Sequence, residues 1–125
     1  LSEIRATTIS DAAGTGPITL TGQSAAKHWT NFDGRASLTL RDSLNQSSVT
    51  DLGAGSYTVS LISSMDDSEN YCVLVVKQDL FVNTHTYGFD AFGSRTASSY
   101  RAISVENAVL ADSNNINGTV NGDLA

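Results

Sequence analysis

Residues 29–61 read WTNFDGRASLTLRDSLNQSSVTDLGAGSYTVSL, and their alternation decides the fold. Tyr57, Val59 and Leu61 alternate with Ser56, Thr58 and Ser60, the period of two that marks a half-buried strand. Ala36, Leu38 and Leu40 alternate with Ser37, Thr39 and Arg41 in the same way, predicting an apolar face inward and a polar face outward. Asp33-Gly34 predicts a tight type I′ turn, with Gly34 supplying positive φ. Asp51-Leu-Gly-Ala-Gly55 turns the chain again, and Ser47 to Thr50 reads as a short strand between the two loops. Just upstream, Lys27 to Phe32 forms a strand with Trp29 on one face and His28, Thr30 and Phe32 on the other.

Outward from this block the pattern stays β. Tyr71-Cys-Val-Leu-Val-Val76 is apolar at every position, which predicts burial on both faces, in mid-sandwich or against another subunit. Tyr100 to Val105 reads as a strand with Arg101, Ile103 and Val105 on one face. Ile116-Asn-Gly-Thr-Val120 reads as a short edge strand. Helical signals are nearly absent; only Val105 to Ala111 offers a turn or two, against which Asn107 argues. Upstream, residues 1–24 form a lead-in with weak alternation at Ile4 to Thr8, a turn at Asp11 to Pro17 and a short strand at Ile18 to Thr21. These are either a separate hairpin or the first strands of the main domain, which covers 25–125. The expectation is an all-β antiparallel sandwich, jelly-roll-like, of about seven to nine short strands.

Composition narrows the function classes. The chain has 125 residues, enough for one domain with a real core, and a formal net charge of −6. Its seven Lys and Arg residues are scattered, so nucleic-acid binding is not expected. Apolar runs are too short to cross a bilayer, so membrane insertion is not expected. No charged start precedes an apolar segment, so no signal peptide is expected, and a start at Leu1 suggests a piece of a longer chain. The single cysteine, Cys72, forms no internal disulfide and no Cys-based zinc site.

The candidate chemistry is weak. There is no G-x-S-x-G element, and neither His28 nor His85 sits in a motif that marks a base, so no catalytic residue and no enzyme activity is expected. Asp66, Asp67 and Glu69 lack the spacing of a calcium loop and read as a solvated acidic turn. His28 and His85 form no zinc-binding pair, and no metal or cofactor is expected. Asn45-Gln-Ser47 and Asn117-Gly-Thr119 match a glycosylation sequon too short to carry a function. The richest recognition composition lies at 81–92. There His85, Tyr87, Phe89, Asp90 and Phe92 combine rings with polar partners suited to carbohydrate or protein, although core packing would claim part of these rings.

Three segments together resemble a module of tailed-bacteriophage virion proteins, of the tail-fibre C-terminal type. They are Trp29-Thr-Asn-Phe-Asp-Gly34, Arg41-Asp-Ser-Leu-Asn-Gln-Ser-Ser-Val-Thr-Asp51 and Gly53-Ala-Gly-Ser-Tyr-Thr-Val59. That module reads W-V-N-F-N-G, then R-D-S-x-N-V-S-S-x-T-D-x-G-x-G-x-Y-T-V. Met65-Asp-Asp-Ser-Glu-Asn-Tyr71 is similar to its M-x-D-A-N-Y turn, and Ile9 to Pro17 and Gly122 to Ala125 also resemble it. The chain departs at His28 and Thr30, where small or apolar residues are usual, and at Asp33, where Asn is. The resemblance implies a virion structural protein of the tail or another external appendage. It further implies assembly as a homotrimer beside other virion proteins, and binding of a host-surface glycan or protein without catalysis. A head-decoration or head-fibre protein on the capsid is the alternative.

Overall fold

The computed structural model describes residues 25–78, 87–90, 95–106 and 108–125, and for 87–90 the course of the backbone. The two lead-in strands expected before residue 25 lie outside the described residues, as do His85 and Phe92.

Among the described residues nine strands follow in order: β1 Ala26–Asp33, β2 Thr39–Leu44, β3 Gln46–Asp51, β4 Ser56–Leu61, β5 Cys72–Lys77, β6 Tyr87–Asp90, β7 Ser99–Glu106, β8 Val109–Leu110 and β9 Ile116–Asn121. All pairings are antiparallel, in the order β2-β1-β9-β5-β6-β7-β4-β3, with β8 paired to the end of β7. The ladder folds over as a sandwich of two four-stranded sheets, β2-β1-β9-β5 and β6-β7-β4-β3. Two register pairs, Val75 with Gly88 and Val76 with Tyr87, join the sheets on one side. On the other side β2 passes into β3 through the single residue Asn45, whose φ of 54° makes the corner. Among the described residues no helix is long and apolar enough to cross a membrane.

The inward faces meet as alternation dictates. Phe32 on β1 lies edge-on to Tyr57 on β4, with ring centroids 5.2 Å apart, and His28 on β1 lies edge-on to Tyr100 on β7 at 5.5 Å. Val59, Leu61, Met65, Tyr71, Val75, Ala102, Ile116 and Val120 complete the buried core. Each buried Val, Leu, Ile, Met or Phe side chain contributes about 1.5–3 kcal/mol. The groupings that alternation predicted hold: His28, Thr30 and Phe32 share a face of β1, which turns inward, and Arg101, Ile103 and Val105 share the half-buried face of β7, opposite buried Tyr100, Ala102 and Ser104.

Four expectations are corrected. Asp33 pairs with Thr39, so a five-residue bend replaces the two-residue turn. Gly34 does not have positive φ there; a Cβ on it would lie 2.4 Å from Tyr57 Oη, so glycine is required by close packing. Leu40 is exposed although it pairs with buried Phe32, because β2 is the outermost strand of its sheet, and Ala36 lies outside any strand. β9 is central rather than an edge, flanked by β1 and β5, since Gly118 makes room for Tyr100. Finally β5 is covered on one side only: Val73 and Val75 face the core, whereas Cys72, Leu74 and Val76 face outward. Residues 105–111, the one helical candidate, continue β7 and return as β8.

Candidate functional site

The outward side of the β2-β1-β9-β5 sheet gathers the side chains that the core does not use. Register places Leu44 opposite Trp29, Trp29 opposite Thr119, and Thr119 opposite Leu74. The row Leu44–Trp29–Thr119–Leu74 therefore crosses all four strands. Trp29 is 37 % exposed, Leu44 49 % and Leu74 58 %, and Val76, one pleat further along β5, is 49 % exposed. Isolated exposed apolar side chains are ordinary, but several on one sheet face around an indole, with only Thr119 between, make a candidate recognition surface. Cys72 stands exposed on the same strand face, opposite Asn121.

The next row, about 6.8 Å along the strands, runs Asp42–Asn31–Asn117–Val76 by the same register. Here the carboxamides hold one another. Asn31 Nδ2 donates to Asn115 Oδ1 at 2.9 Å and to Asn117 Oδ1 at 2.6 Å. Asn117 Nδ2 donates to Asn115 Oδ1 at 3.4 Å, and Asn115 Nδ2 to Gln78 Oε1 at 3.3 Å. Below them Asp33 receives Arg35 through Nε at 3.0 Å and Nη2 at 2.7 Å, with Arg41 Nη2 at 3.5 Å. The Arg35 hydrogen bond first, and the charge of both arginines after it, hold the Asp33 carboxyl down to about 2.

Chemistry is not assembled at the residues the sequence made candidates for it. His28 is buried, with Nδ1 3.0 Å from Leu44 O and Nε2 2.9 Å from Tyr100 Oη. A carbonyl only accepts, so Nδ1 carries the proton and Nε2 accepts from the tyrosine hydroxyl. Burial lowers its pKa below the ordinary 6.5, against the opposing pull of the Leu44 carbonyl. Asp67 spends its carboxylate on its own turn: Oδ1 accepts from Glu69 N at 2.5 Å and Asn70 N at 2.8 Å, and these bonds lower its pKa. Among the described residues no three His, Cys, Asp or Glu side chains stand where they could hold a metal ion. Both sequon asparagines have their amides engaged, Asn45 with Lys27 O and Ser63 O, and Asn117 with Asn115.

Of the residues singled out for recognition, Tyr87, Phe89 and Asp90 fall on β6, beside Val76, Ile103 and Ala102 in register. His85 and Phe92 lie outside the described residues. The outer face was missed as a site because Leu74 and Val76 read as core. Its signal was present in Trp29, which alternation had already set opposite the inward residues of its strand.

Comparison with protein-family models, with curated proteins and with solved structures finds no match to this chain. What fold and site define together is an antiparallel β-sandwich with an apolar, aromatic-centred row on one sheet face.

Proposed function

We infer that this chain is a structural and recognition module of a bacteriophage virion, carried on a tail fibre or another external appendage and binding a host-surface receptor without catalysis. The observation that carries the recognition part is the exposed Leu44–Trp29–Leu74 row on a rigid sheet, in a domain whose buried histidine is tied into the core. Sites built on sheet ladders hold their side chains more firmly than sites on loops. The virion part rests on the motif series from Trp29 to Val59 and on Met65 to Tyr71. Assembly as a homotrimer, beside other virion proteins, belongs to the same reading.

Three measurements test it. Sedimentation at micromolar concentration is expected to give a trimer, and a monomer removes the fibre assembly. Antibody-gold labelling of particles is expected at the tail; signal over the capsid favours the head-decoration alternative. Incubation with host surface polysaccharide is expected to leave its chain length unchanged, and shortening would establish an enzyme.

A further inference from the structure

Building on the recognition reading above, we propose that the outer face of the β2-β1-β9-β5 sheet binds a neutral oligosaccharide, stacked on Trp29 and read by Asn31, Asn115 and Asn117. A sugar ring presents an apolar C–H face and an edge of hydroxyls that each donate and accept. The indole supplies a flat apolar platform. Leu44 stands beside it in the same row, and Leu74 stands beyond Thr119 on the other side, extending the platform along a chain of rings.

The carboxamides supply the matching edge. Asn31 spends both Nδ2 hydrogens on Asn115 and Asn117, which fixes the planes of all three groups before any ligand arrives. Asn31 Oδ1 keeps only a long contact with Arg41, at 3.5 Å, and is an acceptor for a hydroxyl. Among the described residues Asn115 and Asn117 each donate one Nδ2 hydrogen and retain the second. One fixed acceptor and two donors, one pleat from the indole, suit the hydroxyl edge of a sugar lying on it. Pre-set polar groups on a rigid ladder reduce the ordering cost of binding.

Charge selects the ligand class. Asp42 ends the amide row and Asp33 lies beyond it, in a chain of net charge −6. Arg35 and Arg41 are both turned to Asp33. An acidic glycan would meet carboxylates already present without an uncommitted arginine from this pair. Size argues against a second copy of the chain as occupant. Four strands at about 4.8 Å and six residues of strand give a face on the order of 400 Å², whereas a stable protein interface needs roughly 800 Å² from each partner.

Trp29 is the only tryptophan, so its emission reports this face directly. The test combines that emission with native affinity electrophoresis in dextran, galactomannan, laminarin and, as the acidic control, alginate. At least one neutral polysaccharide is expected to retard the protein and shift the emission to shorter wavelength, with alginate doing neither. Trp29→Ala and Asn117→Ala are each expected to weaken retardation about tenfold or more, while Leu110→Ala, on β8, leaves it unchanged. Circular dichroism melts verify that each variant is folded; should Asn117→Ala unfold, Asn117→Asp, which exchanges the donor for a carboxylate, takes its place. No response to any neutral polysaccharide, or retardation of Trp29→Ala equal to the parent, overturns the proposal. Maleimide labelling of Cys72 identifies the competing occupant, because protection that rises with protein concentration alone means that a second copy covers this face. Binding to a panel of bacterial cells separates the two readings. Trp29→Ala that binds cells as the parent does removes the sugar face and leaves receptor recognition standing, whereas a parent that binds no cells removes receptor recognition whatever the gels show.

Discussion

Asn45 and Ser63 are joined by a two-way bond: the Ser63 N–H donates to Asn45 Oδ1 at 2.7 Å, and Asn45 Nδ2 donates back to Ser63 O at 3.1 Å. The same Nδ2 donates to Lys27 O at 3.0 Å. One side chain thus ties the start of β1 and the exit of β4 to the corner where β2 becomes β3. The backbone of Asn45 is left-handed, a conformation that asparagine tolerates better than most residues.

Replacing Asn45 should therefore rank by chemistry. Asn45→Gly keeps the left-handed backbone and loses the bonds, at about 1–2 kcal/mol. Asn45→Ala loses the bonds and adds backbone strain, reaching about 2–4 kcal/mol. Asn45→Asp keeps the acceptor for Ser63 N–H but sets a carboxylate against two carbonyls, and should cost at least as much as alanine. Urea midpoints give the order; equal midpoints for all three would mean that the corner is held elsewhere.

Asp33 sets a pH response at the acid end of the carboxylate range. Its folded pKa of about 2 lies below the ordinary 3.8, so its contribution is complete above about pH 4 and is lost as pH falls towards 2. Asp33→Asn should lower stability at pH 7 by less than about 1 kcal/mol, because Arg35 is largely exposed. At pH 2 parent and variant should converge. A difference that persists well below pH 2, where the carboxyl is neutral in both states, would trace to something other than the Arg35 ion pair.

How much of this was legible in the sequence depends on where the deciding contact lies. Period-two alternation set the inward face of β4 and grouped the faces of β1 and β7 from adjacent residues alone, but which of those faces turns to the core needed the opposite sheet. The central place of β9 was not legible, because Asn-Gly-Thr reads as an edge until Tyr100 is known to fill the space over Gly118. The outward exposure of Leu74 and Val76 was hidden for a related reason, since apolar composition does not reveal whether a second layer exists. In the candidate site, the face of Trp29 was readable. The Asn31–Asn117 contact spans 86 residues and needed the β1–β9 register, which no local pattern contains.

His28 predicts acid sensitivity well above the carboxylate range. Its folded pKa lies below 6.5, so the unfolded chain binds the extra proton first as pH falls. Stability is then full above about pH 6.5 and declines below it, before Asp and Glu begin to titrate. His28→Gln, which retains a donor for Leu44 O and an acceptor for Tyr100, should flatten the urea midpoint between pH 7.5 and 5.5. A His85→Gln control separates the second histidine. A midpoint that keeps falling in His28→Gln as in the parent would assign the proton elsewhere.

Two tyrosine hydroxyls in this core each stand against a glycine, Tyr57 against Gly34 and Tyr100 against Gly118, and the second pair allows a clean coupling test. A Cβ on Gly118 would lie 2.5 Å from Tyr100 Oη and 3.2 Å from Thr30 Cγ2. Gly118→Ala should cost about 1–3 kcal/mol through overpacking on a central strand. Tyr100→Phe removes the hydroxyl that His28 Nε2 accepts from, and should cost about 1–2 kcal/mol. In the double variant the new methyl meets the space the hydroxyl vacated, with Tyr100 Cζ at 3.5 Å in ordinary contact. The two costs should then add to less than their sum by about 1 kcal/mol or more. Strict additivity would show that β9 is kept at its distance by Thr30 and the backbone rather than by the tyrosine hydroxyl.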